Sequence, residues 1–188
     1  MKKALIVIDF INDIVHPQGK IASCAQQVQD HDVISHANHA ITWARANSIL
    51  PIFIKVGFNP SYQDVPTQSP MFGAVSKHQA LALNHWGTEF HQDLAINNDD
   101  IVIIKPRVSP FYNTSLDSVL RANNIDALYF CGVSTTWAIQ AAVRDAHDRD
   151  YPVHIVSNAC AAASLDEHQQ SLTTLSRLAQ LHLASDLC

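Results

Sequence analysis

The chain has 188 residues, 47% of them hydrophobic and 15% charged, with a formal net charge of −5 and a mean hydropathy of +0.01. A chain of this length is expected to form one domain over residues 1–188 and to bury about 70% of its unfolded surface, so no disulfide or metal staple is needed. Twelve basic against 17 acidic residues, with no Lys/Arg run beyond Lys2-Lys3, argue against a nucleic-acid binder, and no stretch approaches the 18 apolar residues of a membrane span.

In chain order, MKKALIVIDF places two lysines before an apolar run that breaks at Asp9, which reads as a first strand over 4–9 and not as a signal peptide. Residues 31–47 carry Val33, Ile34, Ala37, Ala40, Ile41 and Ala44 on one stripe, the 3.6-residue period of an amphipathic helix. A second strand is predicted at 50–56. Residues 57–99 come next, without a clear period but with three prolines, three glycines and several aromatic residues. A connection this long inside a compact domain is usually functional, and it is expected to cover the carboxyl ends of the strands, where open α/β sheets bind ligands. Strands are predicted at 100–105 and 127–133 and, in a more broken run, at 152–157, with helices over 114–123 (Thr114 as its cap), 135–149 and 165–179 and a last short strand near 180–184. Continuous apolar runs suit strands buried on both faces of a parallel sheet. The alternation predicts an α/β fold: a doubly wound, mainly parallel sheet with helices on both faces, a Rossmann-like three-layer arrangement.

Asp9 ends the first run, where a carboxylate is either a site residue or the cap of a turn. Lys105 ends the third run in the same way. A lysine is seldom buried unless paired, so the two opposite charges are expected to face one another. The strand-to-helix turn through Gly132, Val133, Ser134, Thr135 and Thr136 offers backbone N–H groups as an anion pocket, or only a helix cap by Ser134 or Thr135. No base is evident beside those hydroxyls, which favours capping over a nucleophilic role. The four cysteines, Cys24, Cys131, Cys160 and Cys188, are scattered without a CxxC pair, the pattern of a reducing compartment with the cytoplasm as default. Cys131 and Cys160 read as packing residues, and His36 and His39 as exposed helix residues. Trp86, Phe58, Phe72 and Phe111 are candidate pocket walls or ordinary packing, and Asn59 and Gln79 candidate polar contacts to a substrate.

Taken together, ALIVIDFINDIV, VGFNPSYQDVPTQSPMFGA, WGTEFHQDL, VIIKPRVSPFYNTSLDSVLR and GVSTTWAIQAAVRDAHDRDYPVHIVSNACAA resemble the isochorismatase-like hydrolase superfamily, the cysteine hydrolase family that also contains nicotinamidases. The resemblance covers nearly the whole chain. It implies a site built from Asp9, Lys105 and the 133–138 turn, with Val133, Ser134, Thr135 and Trp137 against the substrate, and a non-proline cis peptide near Val133-Ser134. It also implies a small-molecule substrate, no cofactor and a homo-oligomer. Nicotinamidases carry an Asp/His metal site after the second strand, and KVGFNPSYQD has no histidine there, so no catalytic metal is expected and nicotinamide is disfavoured.

The chain departs from the family at the third member of the site, where Trp137 and the flanking residues also differ from the usual cysteine-containing pattern. The motif Gly-Val-x-Thr-x-x-Cys ends here in Ala138, so the position of the nucleophile holds a methyl group. A cysteine there would be activated by the helix dipole and a nearby cation; alanine has nothing to activate. Either the branch is naturally free of the cysteine, as true isochorismatases are, or Ala138 replaces, naturally or as an engineered inactivating substitution, the nucleophile of an amidase. The first reading makes Asp9 a general acid that protonates a vinyl ether, the second makes it a base in amide hydrolysis, and a third is a pseudoenzyme that only binds a ligand.

Overall fold

The computed structural model describes residues 1–187. Six parallel strands, β1 (Lys2–Ile8), β2 (Leu50–Val56), β3 (Ile101–Lys105), β4 (Ile125–Val133), β5 (Val153–Ala161) and β6 (Gln180–His182), lie in the order β3-β2-β1-β4-β5-β6. The order reverses between β1 and β4. With right-handed crossovers, that reversal places the helices before and after it on opposite faces, and it opens a crevice at the carboxyl ends of the strands. Asp9 directly follows β1, Lys105 ends β3 and Val133 ends β4, so the three predicted site segments meet at this edge.

The helices are α1 (Asn12–Val15), α2 (Ala25–Asp30), α3 (Val33–Ala46), α4 (Val75–His78), α5 (Leu116–Ala122), α6 (Gln140–His147) and α7 (Leu165–Leu175). Helix α3 buries Val33, Ala37, Ala40, Ile41 and Ala44, the predicted stripe, and its small alanines allow close approach to the sheet. Trp43 then meets the ring of Tyr129 on β4 with centroids 5.0 Å apart. The main core fills the space between the layers around Leu5, Val7, Phe10, Phe53 and Phe130.

The helix predicted over 31–47 corresponds to α3, which starts after the left-handed Asp32 (φ 49°), and the short α2 before it was not predicted. Two expectations are corrected. The helix predicted over 135–149 begins as a π turn, Thr135–Ile139, because the N–H groups of Trp137 and Ile139 both return to the Ser134 carbonyl; α6 starts only at Gln140. Strand β5 runs to Ala161 and not to 157, and its polar residues find their partners in the C-terminal segment: Ser157 Oγ donates to the His182 carbonyl at 2.9 Å and Asn158 Oδ1 accepts from Ala184 N at 2.8 Å. In addition, β3 is buried on one face only. It is an edge strand, with Val102 43% and Ile104 46% exposed.

The segment 57–99 is not filler. It contributes Phe58, Val65, Phe72, Val75, Ala80 and Leu81 to a second apolar cluster that also takes in Ile11 and Val56, above the carboxyl ends of the strands. Two buried polar residues of α1 tie it down. Asn12 Nδ2 donates to the Trp86 carbonyl at 2.9 Å, and the Asp13 carboxylate accepts from Leu81 N at 2.7 Å and from Lys20 N at 3.2 Å. Among the described residues no helix is long and apolar enough to cross a membrane.

Candidate active site

Asp9 lies just past β1 in a left-handed conformation (φ 59°), with its N–H bonded to the Ile54 carbonyl at 2.9 Å. That turn swings the side chain across β2 instead of along β1. Its Oδ1 accepts from Val56 N at 2.7 Å and its Oδ2 pairs with Lys105 Nζ at 2.8 Å. Both residues are buried. Lys105 Nζ also donates to the carbonyls of Arg107 at 3.3 Å and Val108 at 3.0 Å. Burial is the largest influence on Asp9 and holds its carboxyl above the ordinary aspartate value, against the charge and hydrogen bond of Lys105 and the Val56 N–H, which lower it.

Facing this pair is the turn after β4. Gly132 has φ +136°, and a Cβ there would stand 2.2 Å from the Ile8 carbonyl oxygen, so only glycine lets β4 pass this close to β1. The Val133–Ser134 peptide is cis. Ser134 caps the π turn through its Oγ, which accepts from Trp137 N at 3.2 Å. The turn carries Ala138 inward, 4% exposed, and leaves Trp137 57% exposed at the rim.

A cavity of about 240 Å³ separates the two sides, and Asp9, Lys105, Val133, Ser134, Trp137 and Ala138 all line it. The other predicted contacts lie elsewhere. Thr135 is fully buried behind the turn. Phe58 packs edge-on against Phe72, and Phe111 lies beneath the Arg149 guanidinium. Asn59 holds a local turn with Ser61 and Asp64, and Trp86 stands against His16. Gln79 is exposed and offers its carbonyl to Lys20. Of the candidate aromatic walls, Phe72 lines the cavity, with Met71, Val75 and Leu81 of the same segment.

Sequence reading missed three participants. Cys24 lines the cavity from the loop before α2, but burial, opposed by a contact with Ser23, pushes its thiol up to about 11, so it is held as an unreactive thiol. His168 of α7 lies behind the turn with Nδ1 2.8 Å from Thr135 Oγ1, a partnership between residues 33 positions apart that local pattern cannot disclose. Asp13 anchors the covering segment through Leu81 N; its place in an apolar run beside Asn12 was the available signal. Among the described residues, no group of three or more His, Cys, Asp or Glu is arranged to hold a metal ion.

The isochorismatase domain model matches residues 3–185. Ureidoacrylate amidohydrolase RutB of Yersinia enterocolitica is 30% identical over 185 residues, covering 89% of this chain and 79% of the relative. The enzyme of the same name from Acinetobacter baylyi is 31% identical over 183 residues, covering 90% and 75%. Among solved structures, a cysteine hydrolase from Pseudomonas syringae pv. phaseolicola superposes with a TM-score of 0.87 at 26% identity, over 98% of this chain and 90% of that one.

Proposed function

The chain belongs to the isochorismatase family, and on that premise we propose that it is a hydrolase of a small metabolite in which Asp9 moves the proton, Lys105 holds Asp9 in place, and water attacks instead of a protein thiol. One observation carries this reading: the buried Asp9–Lys105 pair and the methyl group of Ala138 line the same cavity. The acid–base apparatus is present and the covalent nucleophile is not. A carboxyl lifted above its ordinary value keeps its proton to higher pH, which suits a general acid.

The names of the relatives point to C–N bonds. For an amide, water adds to the carbonyl carbon, the C–N bond breaks as Asp9 gives its proton to the leaving nitrogen, and a proton from the attacking water returns to the carboxylate. For a vinyl ether, the same carboxyl protonates the terminal alkene carbon, water captures the oxocarbenium ion and returns a proton to the carboxylate, and the hemiketal so formed breaks its C–O bond as the hemiketal hydroxyl proton passes to the leaving oxygen, releasing pyruvate and the alcohol. In either case Lys105 keeps the carboxyl aimed into the cavity. Assembly into a homo-oligomer belongs to the same proposal, and the exposed Val102 and Ile104 of β3 are apolar side chains that a neighbouring subunit would cover.

A second reading has its own observation in favour. Ala138 is buried and directed into the cavity from the first turn after β4, where a thiol would be well placed, so the chain is alternatively an amidase whose nucleophile is missing. The test is a hydrolysis panel of small amides, ureides and isochorismate, monitored by ammonia and pyruvate release, with Asp9→Asn run beside the wild type. The proposal expects turnover that the substitution abolishes. Absence of turnover across the panel, or turnover indifferent to Asp9, rejects it.

A further inference from the structure

We infer that a separate cavity behind the strand-to-helix turn, lined by His31, His36 and His168, binds a small carboxylate anion and is coupled to the turn through the hydrogen bond between His168 and Thr135. The anion is thereby a regulator of the site on the other side of the turn. That last part rests on the reading of the Asp9 cavity as the substrate site.

This cavity measures about 250 Å³, against about 240 Å³ for the one that holds Asp9. Its polar lining is those three histidines with Gln27, Asn158 and Gln169, and among the described residues that line it none is acidic and none is Lys or Arg. The carboxylates beside the lining residues in sequence are turned to other partners. Glu167 accepts from Thr136 Oγ1 at 3.4 Å, Asp30 from Gln26 Nε2 at 2.7 Å and Asp166 from Gln170 Nε2 at 2.7 Å. Asp32 lines a different cavity.

The groups left to face a ligand are donors. Asn158 spends its oxygen on the Ala184 N–H at 2.8 Å, so its amide nitrogen is the end that remains. His168 Nδ1 lies 2.8 Å from Thr135 Oγ1. Among the described residues no fully buried side-chain nitrogen or oxygen lacks a partner, so Nε2 of His168, which has none in the protein, opens to the cavity that the ring lines. Burial, with His31 adding to it, holds His168 below the ordinary histidine value, so the neutral ring is its resting form, and an anion beside it favours the charged one. Without a fixed cation, the lining suits the single charge of a carboxylate better than the nearly double charge of a phosphate.

Coupling follows from the two ends of the ring. A neutral His168 whose Nε2–H goes to an anion has to accept from the Thr135 hydroxyl at Nδ1, and a charged one has to donate to it. Either way the anion fixes the proton on Nε2 and with it the direction of the bond to Thr135. Thr135 is fully buried and opens the π turn that carries Ala138.

The test is an NMR titration of the full chain, labelled with the heavy nitrogen isotope, with acetate, acetamide and phosphate at constant ionic strength. Acetate keeps its charge from pH 6 to pH 8 and is expected to move the ring nitrogens of His168 and the backbone amides of Thr135 to Ala138. Its binding is expected to be about tenfold tighter at pH 6, where the imidazoles take up charge. His31→Gln, at an exposed position, is expected to weaken acetate about threefold. Thr135→Val removes the hydroxyl and is expected to keep the response of His168 while abolishing that of the Trp137 and Ala138 amides. The wild-type ring answers the same question without a substitution: acetate is expected to leave it in forms protonated at Nε2. Acetamide or phosphate binding as tightly as acetate overturns the assignment of a carboxylate, and an indifferent His168 overturns the site. Turn amides that respond equally in Thr135→Val overturn the coupling. None of these readouts needs turnover, so a silent hydrolysis panel removes the proposed activity and leaves this site standing. Where a panel compound is turned over, acetate is expected to change kcat by about fivefold, and a kcat indifferent to acetate overturns the regulatory role.

Discussion

On the strand side of the cavity, every ammonium hydrogen of Lys105 has an acceptor and both oxygens of Asp9 have a donor. On the turn side, Ser134 to Ala138 wind into an equally well fixed π turn that ends in a methyl group. The two walls are held with similar care and differ in chemistry. One wall carries a buried ionisable pair, and the other presents a methyl group. Under the proposed function, that difference teaches that the first wall alone handles the proton and that the chemistry has to run on water.

The comparison breaks most easily at Asp9. Asp9→Asn is expected to lower kcat by about 10²- to 10⁴-fold, the usual range for a positioned acid or base. It also removes the buried carboxyl that Lys105 Nζ meets at 2.8 Å, so a loss of about 1–3 kcal/mol is expected in urea denaturation. A variant as active and as stable as the wild type would mean that the strand wall is packing alone.

Gly132→Ala probes how the two walls are joined. The added Cβ meets the Ile8 carbonyl at 2.2 Å and the residue sits at φ +136°, so a loss of about 3 kcal/mol or more is expected in the same denaturation experiment. Near-wild-type stability would show that β4 can move away from β1 without consequence.

Dependence on pH sharpens the comparison. Burial raises the folded-state value of Asp9 above the unfolded one, so its contribution to stability is complete below the unfolded value of about 3.9 and is lost as pH rises through the folded value. If the protonated carboxyl is the working form, kcat/KM falls over the same rise. A rate that instead increases through that region makes Asp9 a base.

The smallest effect is expected behind the turn. His168→Ala leaves the Thr135 hydroxyl without its 2.8 Å partner and is expected to cost about 1–3 kcal/mol, with a change in kcat below about tenfold. A loss as large as that of Asp9→Asn would move His168 from a supporting position into the chemistry.

Much of this was legible in the sequence because it is local or periodic. The apolar runs placed the strands, and two opposite charges ending such runs predicted the Asp9–Lys105 pair. Strand order then brought them together, since Val56 at the end of β2 pairs with Lys105 while Asp9 turns over β2. What escaped depends on contacts between distant segments. The short helix α2 ahead of α3 was not predicted, and the left-handed Asp32 that separates the two is a backbone conformation, not a pattern. The cavity wall at Met71, Phe72, Val75 and Leu81 exists because Asp13 and Asn12 pin a segment more than fifty residues away. For the same reason Phe58 and Trp86, aromatic residues of that segment, pack beside the cavity and do not line it.

The central claim is catalysis without a protein nucleophile, and the most direct measurement compares wild type with Ala138→Cys on one substrate panel under pre-steady-state conditions, with intact-mass detection after acid quench. The account predicts wild-type turnover with no burst and no covalent adduct, abolished by Asp9→Asn. Turnover that appears only in Ala138→Cys, with an acyl adduct on the new thiol, would contradict it and identify the chain as an amidase lacking its nucleophile.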